Sequence, residues 1–127
     1  MSKIRVLLAD DHPGLLEIVR GLLKTDFDVV GCVDNGESLF EAAMKLRPDV
    51  IITDITMPKL GGIEAADRLR DSGCLSKVVF LTVHSDPDFV SAGLKTGALG
   101  YVRKTSMATD LFFAIQEVLA GRVFVSA

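Results

Sequence analysis

Five short apolar runs, rich in β-branched residues, alternate along the chain with longer segments whose apolar residues recur every three or four positions. The runs cover 4–9, 29–33, 50–53, 78–82 and 99–102. The spacing predicts helices over 13–24, 37–46, 63–71, 87–96 and 108–120. Pro48 stops the second helix, because proline lacks the amide hydrogen that a helix interior uses. Strands that are almost wholly apolar cannot leave a face to water, so the sheet must be covered on both sides. Strict alternation of strand and helix makes the crossovers right-handed and the sheet parallel.

The expected architecture is therefore α/β: a three-layer, doubly wound, five-stranded parallel sheet in the flavodoxin-like order 2-1-3-4-5. A chain of 127 residues fits one such domain and one core. We expect the domain to span residues 1–121, with 122–127 as a tail or the start of a linker. A net charge of −3 argues against non-specific nucleic-acid binding, which needs a basic surface. No apolar run has the length to cross a bilayer, and the N-terminus enters a strand with no signal-peptide pattern. The two cysteines, Cys32 and Cys74, lack metal-ligand spacing and read as reduced packing residues of a cytoplasmic protein.

In sheets of this order a functional site lies beyond the carboxyl ends of the strands, where strands one and three diverge. Strand one ends in Asp10 and Asp11, strand three in Asp54 and strand four in Thr82, while Lys104 follows strand five. Topology thus gathers three carboxylates, a hydroxyl and an ammonium. Crowded carboxylates either hold protons or bind a cation, and an all-oxygen set favours a hard divalent ion: Mg²⁺, with Mn²⁺ as the alternative. With charge partly cancelled, a carboxylate can act as nucleophile towards a phosphoryl donor, and Thr82 and Lys104 can meet the phosphoryl oxygens. Singly, each residue has a plainer reading. Asp11 suits the cap of the helix starting near Pro13, and Lys104 suits a solvated surface. Their joint occurrence at successive strand ends favours chemistry. His12 and His84 are not read as ligands, since a soft-metal site would gather more histidine or cysteine.

The motifs Leu7-Leu8-Ala9-Asp10-Asp11-His12, Asp54-Ile55-Thr56-Met57-Pro58, Leu81-Thr82-Val83-His84-Ser85 and Gly100-Tyr101-Val102-Arg103-Lys104 resemble the receiver domains of two-component response regulators. The resemblance runs from Ile4 to about Gly121, and its wording is similar to the NarL/FixJ (LuxR-type) subfamily. It implies that Asp54 is the phosphoacceptor and Asp11 a direct metal ligand. Asp10 would act on the metal mainly through water, Thr56 through its backbone carbonyl, and Lys104 would bridge to the phosphoryl group. Thr82 and Tyr101 stand at the family's switch positions. The implied partners are a sensor histidine kinase, a second copy of the chain on phosphorylation, and DNA only through a domain outside this chain. The resemblance implies no turnover enzyme; a receiver catalyses only its own phosphorylation and dephosphorylation.

This sequence departs from the family pattern in places. Thr105 stands where proline often follows the lysine. Val83 is larger than the usual residue and is expected to narrow the pocket. Thr56, Val83 and His84 together are expected to tune the lifetime of the acyl phosphate. The fourth helix, with Gly93 inside it, reads as marginal and so as the moving part. A stand-alone receiver acting as a relay or interaction module is the alternative to a transcription factor. A phosphohydrolase using Asp54 is disfavoured, because Thr56 stands where the usual haloacid-dehalogenase pattern has a second aspartate.

Overall fold

The structure, a computed structural model, describes residues 3–83 and 87–126. Its elements run β1 (Arg5–Ala9), α1 (Pro13–Leu23), β2 (Asp28–Val33), α2 (Gly36–Leu46), β3 (Val50–Thr53), α3 (Gly62–Asp71), β4 (Lys77–Thr82), α4 (Pro87–Lys95), β5 (Gly100–Arg103), α5 (Met107–Leu119) and β6 (Phe124–Val125). A single 3₁₀ turn, Lys104–Ser106, joins β5 to α5. The sheet is parallel in the order β2-β1-β3-β4-β5-β6, so the expected order of the first five strands holds. The expected count of five does not. Phe124 and Val125 add a sixth strand, paired with Gly100 and Tyr101 of β5.

Strand alternation divides the core into layers. Val6 and Leu8 of β1, with Val50 and Ile52 of β3, face one side, where Val19 and Leu23 of α1 and Leu111, Ile115 and Val118 of α5 cover them. Leu7 and Ala9, with Ile51, face the other side, against Leu39 and Ala43 of α2 and Ala65 and Leu69 of α3. Farther along, Phe80 and Tyr101 pack with Ile55, Ala66 and Ala98, and Phe89 and Val90 of α4 lie against them. Each fully buried Leu, Ile or Phe contributes roughly 1.5–3 kcal/mol from burial alone. The only fully buried residue of α4 is Gly93, where an added Cβ would meet the Phe80 ring at 3.0 Å. This helix is held by fewer apolar anchors than its neighbours, which suits the role expected of it.

Local chemistry fixes the helix ends. Asn35 caps α2 by accepting a hydrogen bond from the Ser38 amide at 2.8 Å. Beyond α5, Gly121 adopts φ +80°, the left-handed conformation that ends a helix at little cost with glycine. No cis peptide occurs among the described residues, so Lys104–Thr105 is trans. Cys74 is half-buried beside the α2–α3 core, whereas Cys32 is exposed on the edge strand β2 rather than packed; both are free thiols.

Candidate functional site

The carboxyl ends of β1, β3, β4 and β5 converge on one rim, as the topology requires. Backbone bonds fix its acidic residues: the Asp10 amide donates to Val33 O at 3.0 Å and the Asp54 amide to Ala9 O at 2.9 Å. Asp10 and Asp54 are buried, at 3% and 6% exposure, while Asp11 is open to solvent. Lys104 Nζ lies 2.9 Å from Asp10 Oδ2 and 3.1 Å from Asp54 Oδ2, its side chain 13% exposed. Burial works against the Lys104 charge, but hydrogen bonds and charge attraction from Asp10 and Asp54 outweigh it and hold its pKa above the ordinary lysine value. The Ile55 amide donates to Asp54 Oδ1 at 2.7 Å, so each Asp54 oxygen has a fixed partner. A carboxylate held in this way presents its remaining lone pairs in a defined direction.

The loop after β3 is shaped by close approach. Gly62 opens α3, its amide donating to Ile55 O at 2.7 Å, and a Cβ there would run into the Asp54 carbonyl oxygen. Thr82, at the end of β4, is fully buried and paired in register with Arg103, one residue before Lys104. Tyr101 is 1% exposed, its ring already inside the cluster with Phe80. Thr56 is exposed beside Asp54, and Val83 is 73% exposed, pointing mostly to solvent. His84 lies outside the described residues.

The donor set suits a divalent cation. Ligand atoms of Asp10, Asp11, His12 and Asp54 all lie within 4.8 Å of one another. Three carboxylates against the one ammonium of Lys104 leave two formal negative charges on the rim. Oxygen donors with that charge fit Mg²⁺ or Mn²⁺. The placing of His12 was not anticipated: its Nδ1 is 3.2 Å from both Asp10 Oδ1 and Asp11 Oδ1. It follows the paired aspartates at the turn into α1, so its adjacency was visible in the sequence but its direction was not.

Comparison with known proteins places the fold in a family. The response regulator receiver domain family matches residues 6–116. The chain is 37% identical over 123 residues to the nitrate/nitrite response regulator NarL of Escherichia coli K12, covering 95% of this chain and 57% of that protein. It is also 37% identical over 126 residues to the transcriptional regulatory protein DegU of Brevibacillus brevis, covering 98% and 53%. The chain thus spans little more than half the length of these relatives. Among solved structures, the signal receiver domain of a NarL response regulator from Mycobacterium tuberculosis superposes with a TM-score of 0.91 at 31% identity, over 96% of this chain and 100% of that one. Receivers of this family are signalling modules rather than classical enzymes. Acidic rim, buried ammonium and whole-domain match converge on one conclusion: the chain belongs to the response regulator receiver family, with relatives among regulators of the NarL/LuxR type.

Proposed function

We propose that this domain is the phosphoacceptor switch of a two-component pathway. An Asp54 carboxylate oxygen attacks the phosphorus of a donor, a phosphohistidine of a sensor kinase or acetyl phosphate. The bond from phosphorus to the donor breaks with its electron pair, leaving neutral imidazole or acetate, and Asp54 becomes an acyl phosphate. The observation that carries the reading is Lys104 Nζ between Asp54 and Asp10, at 3.1 and 2.9 Å. An ammonium in that place can follow the developing charge onto the phosphoryl oxygens. Asp10, Asp11, Asp54 and the Thr56 carbonyl would hold Mg²⁺, which when bound would offset charge on the incoming phosphoryl group. Thr56, Val83 and His84 are assigned to tuning how fast water removes the phosphoryl group.

The switch elements are Thr82 and Tyr101. Thr82 ends β4 within the rim and donates to a phosphoryl oxygen once Asp54 is modified. Tyr101 lies under α4 and lines a groove of roughly 520 Å³ with Val90, Leu94, Arg103 and Val125. A differential gain of about 1.4 kcal/mol shifts the two arrangements tenfold. One charge-assisted bond of about 1.5–3 kcal/mol suffices for that. The output reaches transcription through a DNA-binding domain joined after residues 122–127, in a cytoplasmic protein that dimerises when phosphorylated. Support for the dimer comes from Ile18 and Leu22 of α1 and Phe112 and Phe113 of α5, exposed at 55%, 41%, 42% and 61%.

The test is intact-mass measurement after incubation with acetyl phosphate and Mg²⁺. The expected result is a gain of one phosphoryl group, absent in Asp54→Ala and without Mg²⁺. A gain that persists in Asp54→Ala would overturn the assignment.

A further inference from the structure

The geometry points to His12 as a metal ligand that shifts this site's preference from Mg²⁺ towards borderline transition-metal ions. The inference rests on reading the rim as a divalent-cation site and extends it to the ion that the site selects.

His12 Nδ1 lies 3.2 Å from Asp10 Oδ1 and 3.2 Å from Asp11 Oδ1. Ligands about 2.1 Å from an octahedral ion stand roughly 3.0 Å apart along each edge of the octahedron. The ring nitrogen therefore already sits about one octahedral edge from two carboxylate oxygens. With Asp54 included, all the donor atoms fall within 4.8 Å, close to the roughly 4.2 Å diagonal of such an octahedron. Only a small inward movement brings them to bonding distance. The His12 side chain is 72% exposed, so it can close over an ion without crossing the packed core. The backbone around it is pinned: its amide donates to Asp10 Oδ1 at 2.9 Å, and its carbonyl accepts from the Leu15 and Leu16 amides that start α1. The ring is thereby aimed at the rim from a fixed base.

These 3.2 Å contacts place Nδ1 between two carboxylate oxygens. To serve as a ligand, Nδ1 must donate its lone pair to the ion, with the ring N–H on Nε2. Three carboxylates alone suit Mg²⁺ and Mn²⁺; adding an imidazole favours Co²⁺, Ni²⁺ or Zn²⁺.

Titration calorimetry of the chain with Co²⁺ alone and with Mg²⁺ alone, in wild type and His12→Gln, tests the proposal. The readout is the ratio of Co²⁺ to Mg²⁺ affinity. It is expected to fall tenfold or more in His12→Gln, with loss of the nitrogen-ligand signature from the Co²⁺ absorption spectrum. An unchanged ratio and spectrum, with both ions still bound, would overturn the role of His12 and leave the cation site standing. Failure of wild type to bind either ion would overturn the cation site itself, and the inference with it.

Discussion

Replacing Lys104 with methionine keeps a flexible side chain of similar reach and removes the ammonium that sits between Asp10 and Asp54. At about 3 Å and an effective dielectric near 20, each of its two ion pairs is worth about 5 kcal/mol of Coulomb attraction. Desolvation of the buried charges offsets much of that. Removing one partner of a buried pair costs about 3–5 kcal/mol, because the remaining charge has lost its compensation. The rim is partly open, with Lys104 at 13% exposure, so the lower end applies, about 3 kcal/mol. With a urea slope of about 2 kcal/mol/M, the midpoint in chelator drops by about 1.5 M. Because an added divalent ion replaces the missing charge, Mg²⁺ should raise the variant's midpoint more than the wild type's. The sign with pH follows from the raised folded-state pKa of Lys104. Its stabilisation is fully present below the unfolded lysine value and is lost only as pH rises through the folded one. The difference between the two proteins is therefore level across neutral pH and closes in strong alkali. Urea unfolding followed by circular dichroism, in chelator and in Mg²⁺, measures all of this. Equal midpoints in chelator, or equal gains from Mg²⁺, would refute the electrostatic reasoning.

Thr82→Ala is expected to accept the phosphoryl group, as seen by intact mass, yet lose the phosphorylation-dependent change in hydrogen exchange across α4. Gly62→Ala drives a Cβ into the Asp54 carbonyl and should cost about 1–3 kcal/mol in urea unfolding, with slower phosphorylation because the acceptor shifts. Ile18→Glu with Phe113→Ser removes exposed apolar groups from α1 and α5. Each change should alter stability by no more than about 0.5 kcal/mol, while sedimentation of the phosphorylated protein shows a weakened dimer.

Much of the fold could be read from the sequence because β-branched runs and helical periods do not overlap here. The run 50–53 became β3 with its expected limits, and Pro48 stopped α2 as expected. The rim was legible for a related reason: residues at successive strand ends of a parallel sheet must meet at one edge, whatever their separation along the chain. Other features depend on tertiary contacts that leave no periodic trace. Phe124–Val125 is too short to show alternation, and its pairing depends on the free edge of β5. Phe112 and Phe113 fall within the helical pattern of α5, yet the Phe112 ring packs at a tilt against Phe27 and both remain exposed at the helix flank. The direction of His12 shows in the contacts of its ring with Asp10 and Asp11, which no composition or spacing encodes.

The short strand β6 runs parallel to the five before it, so residues 124–126 point towards the end of the sheet where Asp54 stands, not towards the opposite pole. Ser126 clasps this departure: its hydroxyl donates to Asp110 of α5 at 2.9 Å and accepts from the Arg103 amide at 3.2 Å. Arg103 is the immediate neighbour of Lys104, so a displacement of that lysine is expected to be felt by the backbone that holds Ser126. The anchor of residues 124–126 thus lies one peptide unit from the ammonium that holds Asp10 and Asp54.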